Sequence, residues 1–306
     1  MNEKPDIHKF LFLSCSVVTA LSVIIIIGYI LFAAAPVLGR EGLGFVFGST
    51  WDYATHQFGI WPFIVATLMV TIVTVAIAVP LGLATAVFLS EWAPRWLDHL
   101  LSTLVELLVG IPSVVYGIFG FFVLRSYFTD FINPFIGKTL GFIPLFRSGN
   151  NSGLGILLAA TVLAIMILPT VVALSRESMR GVPADLREGS TALGATKWET
   201  IQHLVIPASL SGILTGLILG IMRAMGETMA VVMLVGNTSG VPSSFLDMGE
   251  PMTAKILLDI GYQVVMPEGR SALFAVGAVL MVMEIGFVAA IHIISTRLKQ
   301  QLEGVT

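Results

Sequence analysis

SRESMRGVPADLREGSTALGATKWETIQHLVIP, residues 175–207, lies between two long apolar runs and is three times the length of the segment at 90–99. Its punctuation predicts two short helices. Pro183 suits the first turn of a helix, where its missing N–H costs nothing. The run 184–193 then stops at Gly194, which takes a left-handed conformation at little cost. Thr196-Lys197-Trp198-Glu199 has capping-box spacing, so Thr196 can cap the helix and Glu199 can reach back. Pro207 is expected to close the second helix as the chain becomes apolar again. The product is a rigid helix-turn-helix knob of mixed polarity. An amphipathic connector lying on a membrane surface is the plainer reading of the same residues.

Working outward, six stretches reach the ~20 apolar residues needed to cross a hydrocarbon layer: about 10–36, 60–89, 100–124, 153–174, 208–236 and 271–296. Composition agrees, with 56% of the 306 residues hydrophobic and 11% charged, and a mean hydropathy of +0.93. The fold class expected is an all-α membrane protein of six transmembrane helices, one domain over 1–306, in contact with membrane lipid. A net charge of −3 offers no basic surface for nucleic acid. The single cysteine, Cys15, excludes an intramolecular disulfide and a multi-cysteine metal site. No metal or cofactor is expected. The first stretch follows Lys4 and Lys9, but it exceeds a signal-peptide core in length and reads as a retained span.

Lys and Arg set the orientation. Segments 1–9, 90–99, 175–205 and 297–306 carry 9 of them in 60 residues, whereas 37–59, 125–152 and 237–270 carry 6 in 85. Both termini and the 175–207 segment are therefore expected on the cytoplasmic side. The outer connections carry aromatic residues (Trp51, Trp61, Tyr127, Tyr262) suited to an interface or a docking partner.

Inside the fifth stretch stands RAMGETM, residues 223–229. An ionised Arg at mid-membrane costs roughly 2.5–3.5 kcal/mol on insertion scales, so such residues face a partner or a cavity. Arg223 and Glu227 are four apart and could pair on one helical face, although Glu before Arg is the stabilising order and this pair reverses it. Three roles stay open: a structural salt bridge, a substrate path in which Arg223 grips an oxyanion through its planar fork, or a pairing across a subunit interface. Glu284 in the sixth stretch is a possible cross-helix partner for Arg223, and Glu106 in the third is expected near the cytoplasmic end. The third stretch also carries VGIPSVVYGIFGFF, 109–122, where Pro112 kinks or breaks the helix. Ser113 and Tyr116 would then offer hydroxyl donors to an anion, or the break is a packing kink.

Glu188, Gly194 and Ile206-Pro207 resemble the EAA loop of membrane subunits of ABC importers, with Glu188-Gly189-Ser190 in place of Glu-Ala-Ala. GIPSVVYGIFG (110–120), EGSTALGATKWETI (188–201), RAMGETMAVVMLVGN (223–237), WPFIVATL (61–68) and VPLGLATAVFLSE (79–91) together resemble the PstC-type permease of phosphate ABC importers. The resemblance implies a type I importer permease fold, called MetI-like, and a knob that seats in a groove on an ATPase subunit through Glu188, Gly194, Thr196, Lys197 and Trp198. It also implies that Arg223 and Glu227 of the RAxGET motif are required on a phosphate pathway, for which Thr228, Ser113 and Tyr116 are the further candidate residues. The partners implied are a PstA-like second permease, two PstB-like ATPases and a PstS-like extracytoplasmic phosphate-binding protein. The chain has no G-x-x-x-x-G-K-[ST] loop, so ATP would be hydrolysed on another polypeptide and the protein is not expected to be an enzyme. Permeases for sulfate, molybdate or tungstate, a gradient-driven secondary transporter and a non-transporting scaffold are the alternatives.

Overall fold

The computed structural model describes residues 7–147, 150 and 152–303. The chain ends, whose side was read from charge, lie outside these. The helices are α1 (Ile7–Glu41), α2 (Trp61–Glu91), α3 (Arg95–Gly110), α4 (Ser113–Leu140), α5 (Ile156–Arg180), α6 (Ala184–Ala192), α7 (Lys197–Gly226), α8 (Met229–Leu234), α9 (Met252–Gln263) and α10 (Pro267–Glu303). Among the described residues six are long and apolar enough to cross a membrane: α1, α2, α4, α5, α7 and α10.

Two compact units share these elements, one of residues 1–61 and 256–281, the other of 62–255 and 282–306. In the smaller unit, α1 leads through a turn at Leu43–Phe47 to a two-stranded antiparallel hairpin, β1 (Trp51–Asp52) and β2 (Gln57–Phe58), in the register Trp51↔Phe58. Trp51, Tyr53 and Phe58 pack edge to face across it. Arg40 donates to the His56 carbonyl at 2.5 Å and pairs with Glu268. None of the most apolar stretch of α1 is buried, against 67% of that of α5, so α1 presents its side chains to lipid and α5 is the centre of the larger unit.

The larger unit is built on α5 against α7. Gly212, Gly216 and Gly220 recur every fourth residue on α7 and lie against Ser178, Leu174 and Val171 of α5. Lipid tails supply no hydrophobic drive between helices, so such stripes of small residues hold them by close backbone approach. α8 and the start of α4 close over the other side of α5, with Tyr116, Phe128, Leu163 and Leu234 in one core.

The structure corrects four sequence readings. The third span is not 100–124. Pro112 breaks the chain completely: Ile111 and Pro112 are extended, α3 ends before them, and α4 starts afresh at Ser113 and runs to Leu140. α3 is not a span, because at 16 residues it is short and Asp98, His99, Ser102 and Glu106 give it a polar face. Its exposed stripe is Trp96, Leu100, Leu104 and Leu107, and no residue of it is fully buried. The fifth span does not run to 236, because α7 ends at Gly226. Nor does Pro207 close the second helix of the knob. The helix widens into π-type turns over Ile201–Val205 and continues. That shift of hydrogen-bond register falls just before Pro207, where the ring's missing donor would otherwise leave a gap. Tyr127 also belongs to a span, within α4, rather than to a connection.

Candidate functional site

Two breaks in otherwise continuous helices meet in the larger unit. At the first, α7 stops at Gly226, Glu227 is extended (φ −69°, ψ 126°), and α8 begins at Met229. Arg223 therefore occupies the last turn of α7 while Glu227 lies beyond its end. The two do not form the i,i+4 pair the spacing allows. Among the described residues, no ion pair or hydrogen bond joins Arg223 to Glu227, to Glu284 or to any other group. The guanidinium is half-buried there, in the last turn of the helix.

Glu227 is held by its surroundings instead. Its Oε1 accepts from the Ala230 N–H at 3.5 Å, and its carbonyl accepts from Thr253 Oγ1 at 3.2 Å. Thr228 Oγ1 donates to the Gly226 carbonyl at 3.3 Å. Glu284 Oε1 stands 3.7 Å from where a Cβ on Gly226 would be, so the glycine leaves room for a second carboxylate at the break. Met252 N–H donates to Thr67 Oγ1 and Lys255 pairs with Glu250 at 3.7 Å, fastening the 237–255 segment to the N-terminal end of α2.

The second break is at Pro112. Ser113 opens α4 and is half-buried. Tyr116 is buried and lies within electrostatic reach of Arg223, but its hydroxyl proton goes to the Leu108 carbonyl at 2.9 Å. Gly117 lets α4 approach α8: a Cβ there would stand 3.2 Å from Ala230 Cα and 2.7 Å from Met233 Sδ. With the Tyr116 hydroxyl engaged, the charged side-chain donors left at the breaks are those of Arg223. Among the described residues no cluster of His, Cys, Asp or Glu is placed to hold a metal ion. Glu106 is exposed on α3.

The knob forms as its sequence dictates. α6 ends at Ala192, Gly194 has φ +90°, and both capping-box bonds are made. Thr196 N–H donates to Glu199 Oε2 at 2.7 Å and Glu199 N–H to Thr196 Oγ1 at 3.3 Å. Glu188, Gly194, Thr196, Lys197 and Trp198 are all exposed. At the tip Leu193 is 91% exposed, an apolar side chain that no described residue covers.

Sequence reading missed what fixes the knob to the bundle. Arg187 Nη1 donates to both carboxylate oxygens of Glu91 at 2.6 Å, and its Nη2 to the Met179 carbonyl at 2.7 Å. Asp98 pairs with Arg176 at 2.6 Å and with Arg180 at 2.7 Å. Burial pushes the Asp98 carboxyl up, but the Arg180 hydrogen bond and the two arginine charges outweigh it and hold the group below its ordinary value. The partners are 78 to 96 residues apart in sequence, so no local spacing announces them.

A family of binding-protein-dependent transport system inner membrane components matches residues 78–300. The chain belongs to it. It is 36% identical over 274 residues to the phosphate transport system permease protein PstC of Xylella fastidiosa, covering 89% of this chain and 84% of the relative. It is 40% identical over 243 residues to the probable ABC transporter permease protein YqgH of Bacillus subtilis, covering 79% and 74%. Among solved structures, a bacterial ABC transporter that imports the acidic polysaccharide alginate shares the fold at TM-score 0.55 and 16% identity, over 92% of this chain and 95% of that one. The protein is a multi-pass PstC-type permease with the type I ABC importer fold. Like other members of the family it is not an enzyme, and ATP is hydrolysed on a partner chain.

Proposed function

We propose that this chain forms half of the membrane pathway of an ATP-driven phosphate importer, with Arg223 as the anion station. One observation carries the reading: Arg223 is half-buried within a membrane-spanning helix and makes no internal ion pair or hydrogen bond among the described residues. A guanidinium in that position calls for an anion, and its fork matches two phosphate oxygens at once. The likeness to PstC proteins names phosphate as that anion. Thr228 and Ser113 add hydroxyls at the two breaks, and Tyr116 lies buried at the start of α4. Glu227 and Glu284 supply negative charge at the same break, so an arriving phosphate is held by Arg223 yet repelled by its neighbours. That balance favours passage over retention.

The two compact units act as one permease domain, with both termini and the knob cytoplasmic. A PstA-like permease completes the pathway, and two PstB-like ATPases seat the knobs through Glu188, Gly194, Thr196, Lys197 and Trp198. A PstS-like binding protein delivers phosphate on the outer side. Closure of the ATPase pair draws the knobs together and opens the path outward, and hydrolysis reverses it.

The test is reconstitution with those partners in vesicles, following ATP-dependent phosphate uptake. Arg223→Gln should abolish uptake while assembly and ATPase docking persist. Uptake that survives Arg223→Gln, that is blocked by sulfate or molybdate but not by unlabelled phosphate, or that continues with a dead ATPase overturns the proposal.

A further inference from the structure

The knob and the Arg223 break lie at opposite ends of a chain of contacts that the transport reading leaves unused. Glu91, the last residue of α2, is bonded by both arms of the knob. Arg187 of α6 takes its carboxylate, and Lys197 Nζ at the start of α7 donates to its carbonyl at 2.5 Å. Trp198 stacks on Trp92 with ring centroids 5.9 Å apart and planes 14° from parallel. The corner between α2 and α3 is therefore fastened to the knob. Seven residues on, in the first turn of α3, Asp98 takes two arginines from the last turns of α5. Asp98 and Arg176, at 14% and 18% side-chain exposure, are more sheltered than a surface pair, while Arg180 closes the cluster on its solvent side at 41%.

From there α3 runs to Gly110, a rigid rod of ~18 Å at 1.5 Å per residue. Its far end is not loose. Across the Pro112 break, the buried Tyr116 hydroxyl donates to the Leu108 carbonyl at 2.9 Å. That carbonyl lies in the last turn of α3, where it also accepts from the Ile111 N–H at 3.3 Å, so the Tyr116 hydroxyl is its second donor. The residue after Tyr116 packs directly on the backbone of α8, whose start marks the end of the Arg223–Glu227 break.

We infer that α3 is a strut carrying movement of the knob to the break beside Arg223, with Asp98 and the Tyr116 hydroxyl as positioning groups at its two ends. The inference rests on the importer reading above and adds which internal contacts convert ATPase motion into a change at the site. α3 suits the task because little else holds it: it buries no residue fully, so it can shift as a body once its ends are pulled. A structural role alone for these contacts predicts something different, so the experiment must separate coupling from stability.

The assay uses the complete reconstituted complex in vesicles and reads phosphate accumulated per ATP hydrolysed. Asp98→Asn keeps the shape and removes the charge, and Tyr116→Phe removes one oxygen. Each should leave assembly intact while lowering uptake per ATP by about 3- to 10-fold, the equivalent of one hydrogen bond, and Asp98→Asn should keep binding-protein-stimulated ATPase near wild type. The ends of the strut are more than ~10 Å apart, a separation at which independent effects add. Two lesions in one strut should not add, so the double variant should resemble the worse single one. Multiplying effects in the double variant, ATPase and uptake falling together, or an unchanged ratio would each overturn the inference. If Tyr116 acted by touching phosphate, Tyr116→Phe and Asp98→Asn would multiply. The ratio is independent of cargo identity: sulfate accumulating instead of phosphate would sink the phosphate reading and still decide the strut.

Discussion

Replacing the α7 glycines by alanine one at a time yields a graded result that the geometry fixes in advance. A Cβ on Gly212 would meet Ser178 Oγ and lie 2.5 Å from Ser178 Cβ, one on Gly216 would lie 2.9 Å from Leu174 Cβ, and one on Gly220 would lie 3.0 Å from Val171 Cγ2. Carbon atoms sit comfortably at about 3.5–4.0 Å. The Cβ atoms of Ser178 and Leu174 move only with their backbone, so at 212 and 216 the helices must part. The Val171 methyl can turn aside. Ser178 is further pinned by its hydrogen bond to the Ser209 carbonyl at 2.9 Å. Overpacking costs about 1–3 kcal/mol, while alanine for glycine inside a helix returns about 1 kcal/mol. Taking the upper end of the cost for 212, the middle for 216 and the lower end for 220, the net destabilisation is about 2, 1 and 0 kcal/mol. Thermal unfolding in detergent should rank the variants in that order. Gly137→Ala in α4, where a Cβ meets nothing within 4 Å, should be neutral or slightly stabilising. Equal damage at 220 and 212, or damage at 137, would refute the account of α5–α7 packing as backbone contact.

The knob and the Asp98 cluster offer two more tests. Thr196→Ala removes a cap worth about 1 kcal/mol, and Gly194→Ala forces a side chain into left-handed backbone at about 1–2 kcal/mol. Each should raise amide exchange in α6 and the first turn of α7 while leaving α5 protected, and Gly194→Asn should be milder than Gly194→Ala. Asp98 has a folded-state pKa held below the ordinary 3.8, so its stabilisation is complete above that value and is lost as the pH falls through the lower folded value. Wild-type unfolding midpoints should therefore owe nothing to Asp98 titration between pH 6 and 8, and Asp98→Asn should be least harmful, relative to wild type, at the acid end of a pH series.

What was readable from the chain divides by the range of the interaction that decides it. The knob was legible almost residue by residue, because Gly194, Thr196 and Glu199 act on neighbours within one turn. The span count was legible from length and apolarity. The third span was misplaced because hydropathy counted Leu100, Leu101, Leu104 and Leu107 as one run across Pro112, where the kink or break expected is a complete break. Pro207 misled in the opposite sense, since a π-type widening upstream absorbs a proline that would otherwise stop a helix. The glycine stripe at 212, 216 and 220 could have been read from its period of four. The arginine contacts to Glu91 and Asp98 could not, because they join elements that only tertiary packing brings together.

The order of charges in RAMGETM is where the structure changes the argument most. As an i,i+4 pair on one helix, Arg before Glu runs against the helix dipole and would be a poor stabiliser. With the helix ended at Gly226, the same two residues belong to two different helix ends. Arg223 stands in the last turn of α7, beside the unsatisfied carbonyls where a cation is favoured, and Glu227 precedes α8, where its carboxylate accepts from the Ala230 N–H. Each charge is thus tolerated by a terminus rather than by the other. An Arg223–Glu227 ion pair would leave the guanidinium neutralised before any ligand arrived. Separate support at the two termini keeps the cation available, and it costs the protein only a break in one helix, which the second break at Pro112 meets through the contact of α4 with α8.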